Sequence, residues 1–267
     1  MQTYLRELYR RNPWLAAFGW LMIAGFLFAL FASLVDGRTV TGSNTWIKPM
    51  KFCFSVAAYV WTLAWFLHYV RDSRRSFKLI SIGVTVFMFI EMACIYSQGA
   101  RGVQSHFNFS TSYDATVFSM MGMMIYLNLL FDLWALALFA IKKPEIPASY
   151  LWGIRLGLLL FLVFALQGQL MINRMAHSVG VADGGPGLPL VNWSTVGGDL
   201  RIAHALGLHA LQFIPLAGWL LFKYRERLKF FGAHATLFTV LFAMIYAGVC
   251  FGLLAQAFAG RPLFAGD

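Results

Sequence analysis

The sequence predicts an all-α integral membrane protein, a bundle of about seven transmembrane helices, and three observations predict it. The 267 residues are 60% hydrophobic and 12% charged, about half the charge density of a soluble domain. Long apolar runs recur at 14–35, 52–70, 79–98, 115–141, 150–172, 202–222 and 233–258. Each comes close to or exceeds the roughly 20 residues that cross a hydrocarbon layer as a helix. Strand-like alternation is missing, and only helices and closed barrels satisfy their backbone polar groups in lipid.

Taken in order, residues 1–13 are polar and basic and have no small-residue cleavage site before the first apolar run. That run is therefore expected to be a retained span and not a removed signal peptide. Arg71, Arg74, Arg75 and Lys78 separate the second span from the third. The fourth ends at Lys142, and a short turn leads into the fifth, which predicts antiparallel neighbours and an Asp132–Arg155 ion pair between them. Pro215 predicts a kink in the sixth span. Gly153-xxx-Gly157 and Gly248-xxx-Gly252 predict close helix approaches. No Ser/Pro-rich linker or polar block divides the chain, so residues 1–267 read as a single transmembrane helical domain.

Charge sets orientation. Thirteen Lys and Arg fall on one side: Arg6, Arg10, Arg11, Arg71, Arg74, Arg75, Lys78, Lys142, Lys143, Lys223, Arg225, Arg227 and Lys229. Seven fall on the other: Arg38, Lys48, Lys51, Arg101, Arg174, Arg201 and Arg261. The richer side is expected to be cytoplasmic, with the N-terminus inside and the C-terminus outside. Because the basic residues sit between apolar runs and form no stripe, the net charge of +10 implies a lipid bilayer and not a nucleic acid as partner. Compact loops point to a bacterial cytoplasmic (inner) membrane. Cys53, Cys94 and Cys250 lie inside apolar runs at no metal-ligand spacing, which reads as buried thiols.

Ionisable groups at membrane depth are costly and become functional candidates by default. Glu91 lies roughly 18 Å from the inner end of its span, and His209 roughly 12 Å from the outer end of its own, by helical rise. These depths coincide, and Gln167 falls at a similar level, so Glu91 and His209 are candidates for a catalytic pair. His106, His177, His204 and His209 all belong to the predicted outer half. With Glu91 they form a candidate ligand set for a transition metal (Zn, Cu or Fe) or a haem. The five-residue gap between His204 and His209 turns them about 140° apart on a regular helix, so joint ligation requires an irregular one. Lys48, Lys51, Arg101, Arg174 and Arg201, with Gln167, are candidates to hold an anionic small molecule, a lipid head group or a cofactor edge. Asp183-Gly-Gly-Pro-Gly-Leu-Pro reads as turns and as a candidate lid.

Several classes are excluded. A retinal protein needs a Lys in its final span, and 233–258 has none. A two-haem bundle needs facing His pairs on both sides, and only the sixth span carries a mid-helix His in the outer half. The leading expectation is an outward-facing, His-lined cavity that binds a metal or haem for membrane redox or hydrolytic chemistry. A proton-coupled transporter or solute-binding protein, using Glu91 or Asp132, is one alternative. A non-catalytic assembly or sensory subunit is the other.

Overall fold

The computed structural model describes residues 2–264, with the side chains of Gln2 and Thr3 excepted. Among the described residues, six helices are long and apolar enough to cross a membrane. A seventh span forms if the bent pair 200–208 and 210–223 is counted as one. Apolar side chains face outward along these helices, among them Leu27, Phe31, Phe54, Phe89, Leu130, Leu166, Met244 and Ile245. Glu91, Gln98, Asn128, Asp132 and Gln167 are buried. Polar inside and apolar outside is the arrangement a hydrocarbon solvent demands. The chain groups into two units, Met1–Phe131 and Asp132–Asp267.

The N-terminal unit begins with α1 (Gln2–Arg11) and α2 (Pro13–Val35). Asn12 joins them: its side chain accepts the Leu15 N–H at 3.2 Å, and Pro13 takes the first helical position, where a missing N–H costs nothing. The Asn12 amide also donates to Ser81 Oγ at 2.6 Å. The α1 helix is short and polar, and span-length hydropathy does not anticipate it. A hairpin follows, β1 (Thr39–Val40) with β2 (Ser43–Asn44). Thr41 and Gly42 turn it at φ 46° and 78°, the paired positive angles of a tight hairpin turn.

Asp36 anchors this hairpin by accepting from Arg38 (2.7 Å) and from the Trp46 indole (2.8 Å). The Arg38 guanidinium, followed by the Trp46 N–H, holds the Asp36 carboxyl well below the usual carboxylate range. α3 (Ile47–Leu67) packs against α2, with Gly19 making room for the Trp61 indole. α4 (Arg74–Arg101) stops at Gly102, whose φ of 69° closes the helix. α5 (Ser112–Ile141) starts at a reciprocal cap: the Thr111 hydroxyl donates to Asp114 Oδ2 at 2.7 Å, and the Asp114 N–H returns a bond to it at 3.1 Å. Phe131 of α5 lies over Gly83 of α4.

In the C-terminal unit the last turns of α5 are capped by Arg155. Its Nε donates to Phe139 O at 2.7 Å, and its Nη2 reaches Lys142 O at 3.4 Å. The expected Asp132–Arg155 pair gives way to this arrangement, in which the guanidinium serves carbonyls at the negative end of a helix. α6 (Ala148–Arg174) leads through Met175, at φ 51°, into a folded connection. There β3 (Ser178–Val179) pairs with β4 (Gly198–Asp199). α7 (Leu200–Leu208) and α8 (Ala210–Lys223) meet at a 42° bend. The bend falls at His209 and not at Pro215, which lies inside α8.

Pro215 and the Ala210 carbonyl press on α6, where a Cβ at Gly153 would come within 2.7 Å of Pro215 Cα and one at Gly157 within 2.9 Å of Ala210 O. The first Gly-xxx-Gly pair is therefore a close approach, as expected. The second is not: Gly248 and Gly252 of α10 (Ala235–Phe258) have open space around them. Between α8 and α10 lies the short α9 (Lys229–Ala233). Cys53, Cys94 and Cys250 are free, buried thiols.

Candidate functional site

Each unit gathers part of the candidate set. In the C-terminal unit, Asp199 starts the construction. It is 1% exposed and caps α7 by accepting the Arg201 N–H at 3.0 Å. It also accepts the Ser194 N–H (2.8 Å) and the Arg201 guanidinium (2.6 Å). Arg201 spends a further bond on Asn192 O at 2.5 Å. An Asp two residues before an Arg thus fastens the 176–199 connection to the start of α7.

Leu200 ties in the next residues. Its N–H donates to His177 O at 3.0 Å, and its carbonyl lies 3.5 Å from Gln167 Nε2. One helical turn further, His204 places Nδ1 2.7 Å from Phe164 O on α6. Two glycines permit that approach: Gly207 accommodates the Phe164 ring, and Gly168 lies against the His204 ring. A carbonyl only accepts, so Nδ1 carries a proton, and in the neutral ring Nε2 presents a lone pair.

His177 follows the same pattern. Its Nδ1 lies 2.7 Å from Asp183 Oδ2. Asp183 also accepts the backbone N–H groups of His177 (2.9 Å) and Ser178 (2.8 Å). Burial works to raise the Asp183 carboxyl, but the His177 ring and these N–H groups outweigh it and hold it well below the usual range. Being ionised, it accepts, which again leaves the proton on His177 Nδ1. The two imidazoles lie within electrostatic reach of each other. Gln167 is buried, and its Oε1 has no hydrogen-bond partner among the described residues.

His209 stands at the α7–α8 bend, its Nδ1 3.2 Å from Gln212 Oε1 and its ring against Phe213. The helix is bent at His209, and His204 and His209 are engaged by different partners. Tyr246 supports the bend, donating its hydroxyl to Leu206 O at 2.6 Å. Arg174 is exposed at the end of α6.

In the N-terminal unit, Glu91 of α4 is 2% exposed, and its Oε2 has no hydrogen-bond partner among the described residues. Lys48, in the first turn of α3, is within electrostatic reach of it. The Lys48 ammonium lies 3.0 Å from His106 Nδ1, and Ser105 Oγ lies 3.1 Å from the same atom. Phe52 and Phe118 pack beside the His106 ring. Lys51 is half-buried one turn further along α3. Arg101 bonds the Asp114 carboxylate and Gln98 Oε1 (2.5 Å) and stacks over Tyr113. Arg101 and Arg201 are thus both engaged by buried carboxylates.

Among the described residues no three of His, Cys, Asp and Glu gather closely enough to hold one ion. The signals that sequence reasoning passed over are Asp183 and Phe164, the partners that orient His177 and His204. An Asp six residues beyond a His is visible in a sequence, whereas a backbone carbonyl on another helix leaves no mark there. Comparison with known protein families, with curated proteins and with solved structures finds no match to this chain.

Proposed function

We propose that this polytopic membrane protein binds a transition metal (zinc, copper or iron) or a haem iron through His177 and His204, for redox or hydrolytic chemistry. One observation carries the reading. Each imidazole has its Nδ1 engaged by an acceptor, a carboxylate for His177 and a backbone carbonyl for His204. Metal-ligating histidines are oriented in this way: the outer acceptor fixes the tautomer, aims the ring and raises the basicity of the ligating nitrogen.

Gln167 Oε1, buried and unpartnered, is the nearby oxygen suited to complete or hydrogen-bond the centre. With two protein nitrogens, positions stay open for water or substrate, and the ion would supply Lewis-acid or electron-transfer chemistry. The connection that carries His177 and Asp183 would act as the cover of that centre. The count of basic residues in the loops is what supports an outer-face position for it.

The test is metal content and absorbance of the protein purified in mild detergent. Near-stoichiometric metal or a Soret band, lost in both His177→Ala and His204→Ala, is the expected result. A folded, colourless protein that takes up no metal when zinc, copper, iron and haem are supplied would overturn the reading.

A further inference from the structure

The N-terminal unit gathers cations at one end without matching them with acids. α1 turns Leu8 inward, at 8% exposure, and leaves Arg6, Tyr9 and Arg10 exposed. Arg6 and Arg10 stand one helical turn apart. Two contacts fix where α1 lies. Arg11 Nη1 reaches Trp65 O at 3.4 Å, and its guanidinium sits 3.8 Å over the Trp65 ring. The Asn12 amide donates to Ser81 Oγ at 2.6 Å. α1, the end of α3 and the start of α4 therefore meet at the same end of the unit.

Seven Lys and Arg lie there, three on α1 and four between Arg71 and Lys78, against two acids, Glu7 and Asp72. Glu7 bonds Arg10 at 2.7 Å and Arg11 at 2.8 Å, whereas Arg71, Arg74, Arg75 and Lys78 are exposed. At the opposite end of the unit the arginines are matched: Arg38 is bonded to Asp36 and Arg101 to Asp114. The first turn of α4 holds no acidic residue, so the positive end of that helix adds to the cations beside it. Like charges gathered in this way repel, and an anionic partner relieves the repulsion.

Exposed aromatic side chains indicate which anion. Tyr4, Tyr9 and Trp14 are 73%, 43% and 53% exposed, on α1 and in the first turn of a helix long and apolar enough to cross a membrane. Such rings collect at the level of the lipid head groups, with the apolar body toward the acyl chains and the polar tip toward water. A short helix with Arg and Tyr on its outer side, joined directly to a spanning helix, belongs in that layer.

We propose that α1 and the 71–78 segment form a binding surface for the head groups of anionic phospholipids. The guanidinium groups take phosphate oxygens through paired N–H bonds, and Tyr4, Tyr9 and Trp14 set the depth of the surface. Only the N-terminal unit is involved, and no metal is needed.

Native mass spectrometry of the full chain, released from detergent that contains equal amounts of phosphatidylglycerol and phosphatidylcholine, tests this. The parent should retain phosphatidylglycerol in preference. Arg71→Gln/Arg74→Gln/Arg75→Gln/Lys78→Gln should lower that preference about fivefold or more, since a single cation near an anionic surface carries about that factor. Lys223→Gln/Arg225→Gln/Arg227→Gln/Lys229→Gln, which removes the same charge from the C-terminal unit, should keep most of it. Equal losses in the two variants would reduce the effect to net charge and overturn the surface, as would equal retention of both lipids by the parent. If the 71–78 variant does not assemble, Arg6→Gln/Arg10→Gln should lower the preference in the same direction, and an unchanged preference overturns the proposal. Inorganic phosphate should displace the retained lipid no better than chloride at equal ionic strength; stronger displacement would assign the cations to a free anion instead. Metal content is a separate readout, so this proposal and the metal site fail independently.

Discussion

His204 Nδ1 lies 2.7 Å from the carbonyl oxygen of Phe164, a contact between residues 40 positions apart. It exists because α6 and α7 touch where Gly168 and Gly207 carry no side chain. The contact decides the chemistry of the ring. A neutral His204 with its proton on Nδ1 offers Nε2 as a base, a ligand or an acceptor, and its orientation is set by the backbone of another helix.

Removing Asp183 is expected to weaken metal binding without abolishing it. Asp183→Asn keeps the shape of the side chain but takes away the carboxylate that orients His177. Loss of such an outer partner costs 10–100-fold in affinity, whereas His177→Ala removes the ligand itself. Metal titrations of the parent and the two variants, followed by competition with a chelator, should rank them in that order. Equal affinity in the parent and Asp183→Asn would separate His177 from the metal.

The Asp183 contacts also predict a pH dependence. The carboxyl is depressed in the folded chain, so its stabilising effect is complete above the ordinary carboxylate pKa. That effect is lost only as the pH falls through the lower folded value. The 176–199 connection should therefore stay protected at neutral and mildly acid pH and open only in strong acid. Hydrogen exchange of peptides from this segment should show that step in the parent. Asp183→Asn should lack it and exchange faster throughout.

Much of the architecture is legible from apolar runs. The spans at 79–98 and 150–172 appear as Arg74–Arg101 and Ala148–Arg174, longer at both ends. Hydropathy sees the part inside the hydrocarbon and stops at Lys78 or Arg101, which a helix carries on through. The bend in the sixth span was foreshadowed by Pro215 but sits at His209. Proline weakens the turn before it, and the glycines of α6 decide how Pro215 and Ala210 pack. The candidate histidines were visible as residue types. Their division between two units and the partners Phe164, Asp183 and Lys48 were not, because these contacts are set by tertiary packing.

Gly168 gives a test that leaves every polar group in place. A Cβ there would lie 3.2 Å from His204 Cε1, tighter than ordinary contact, so the ring must give by a few tenths of an ångström. Gly168→Ala should lower metal affinity about tenfold, the low end of the effect of losing ligand orientation. Its helical circular dichroism should match that of the parent. Unchanged affinity would show that the ring keeps its bond despite the added methyl.

Gly153 is where fold stability should respond. A Cβ there would stand 2.7 Å from Pro215 Cα and 3.0 Å from Ile214 O, both backbone atoms that cannot swing aside. Gly153→Ala should therefore push α8 off α6 and cost about 1–3 kcal/mol, the usual range for overpacking. Gly248→Ala provides the internal comparison, since nothing stands near that position and alanine favours the helix by up to about 1 kcal/mol over glycine. Thermal unfolding in detergent should order the three chains as Gly248→Ala at or above the parent and Gly153→Ala well below it. A parent-like Gly153→Ala would mean that α6 and α8 are not in close backbone contact.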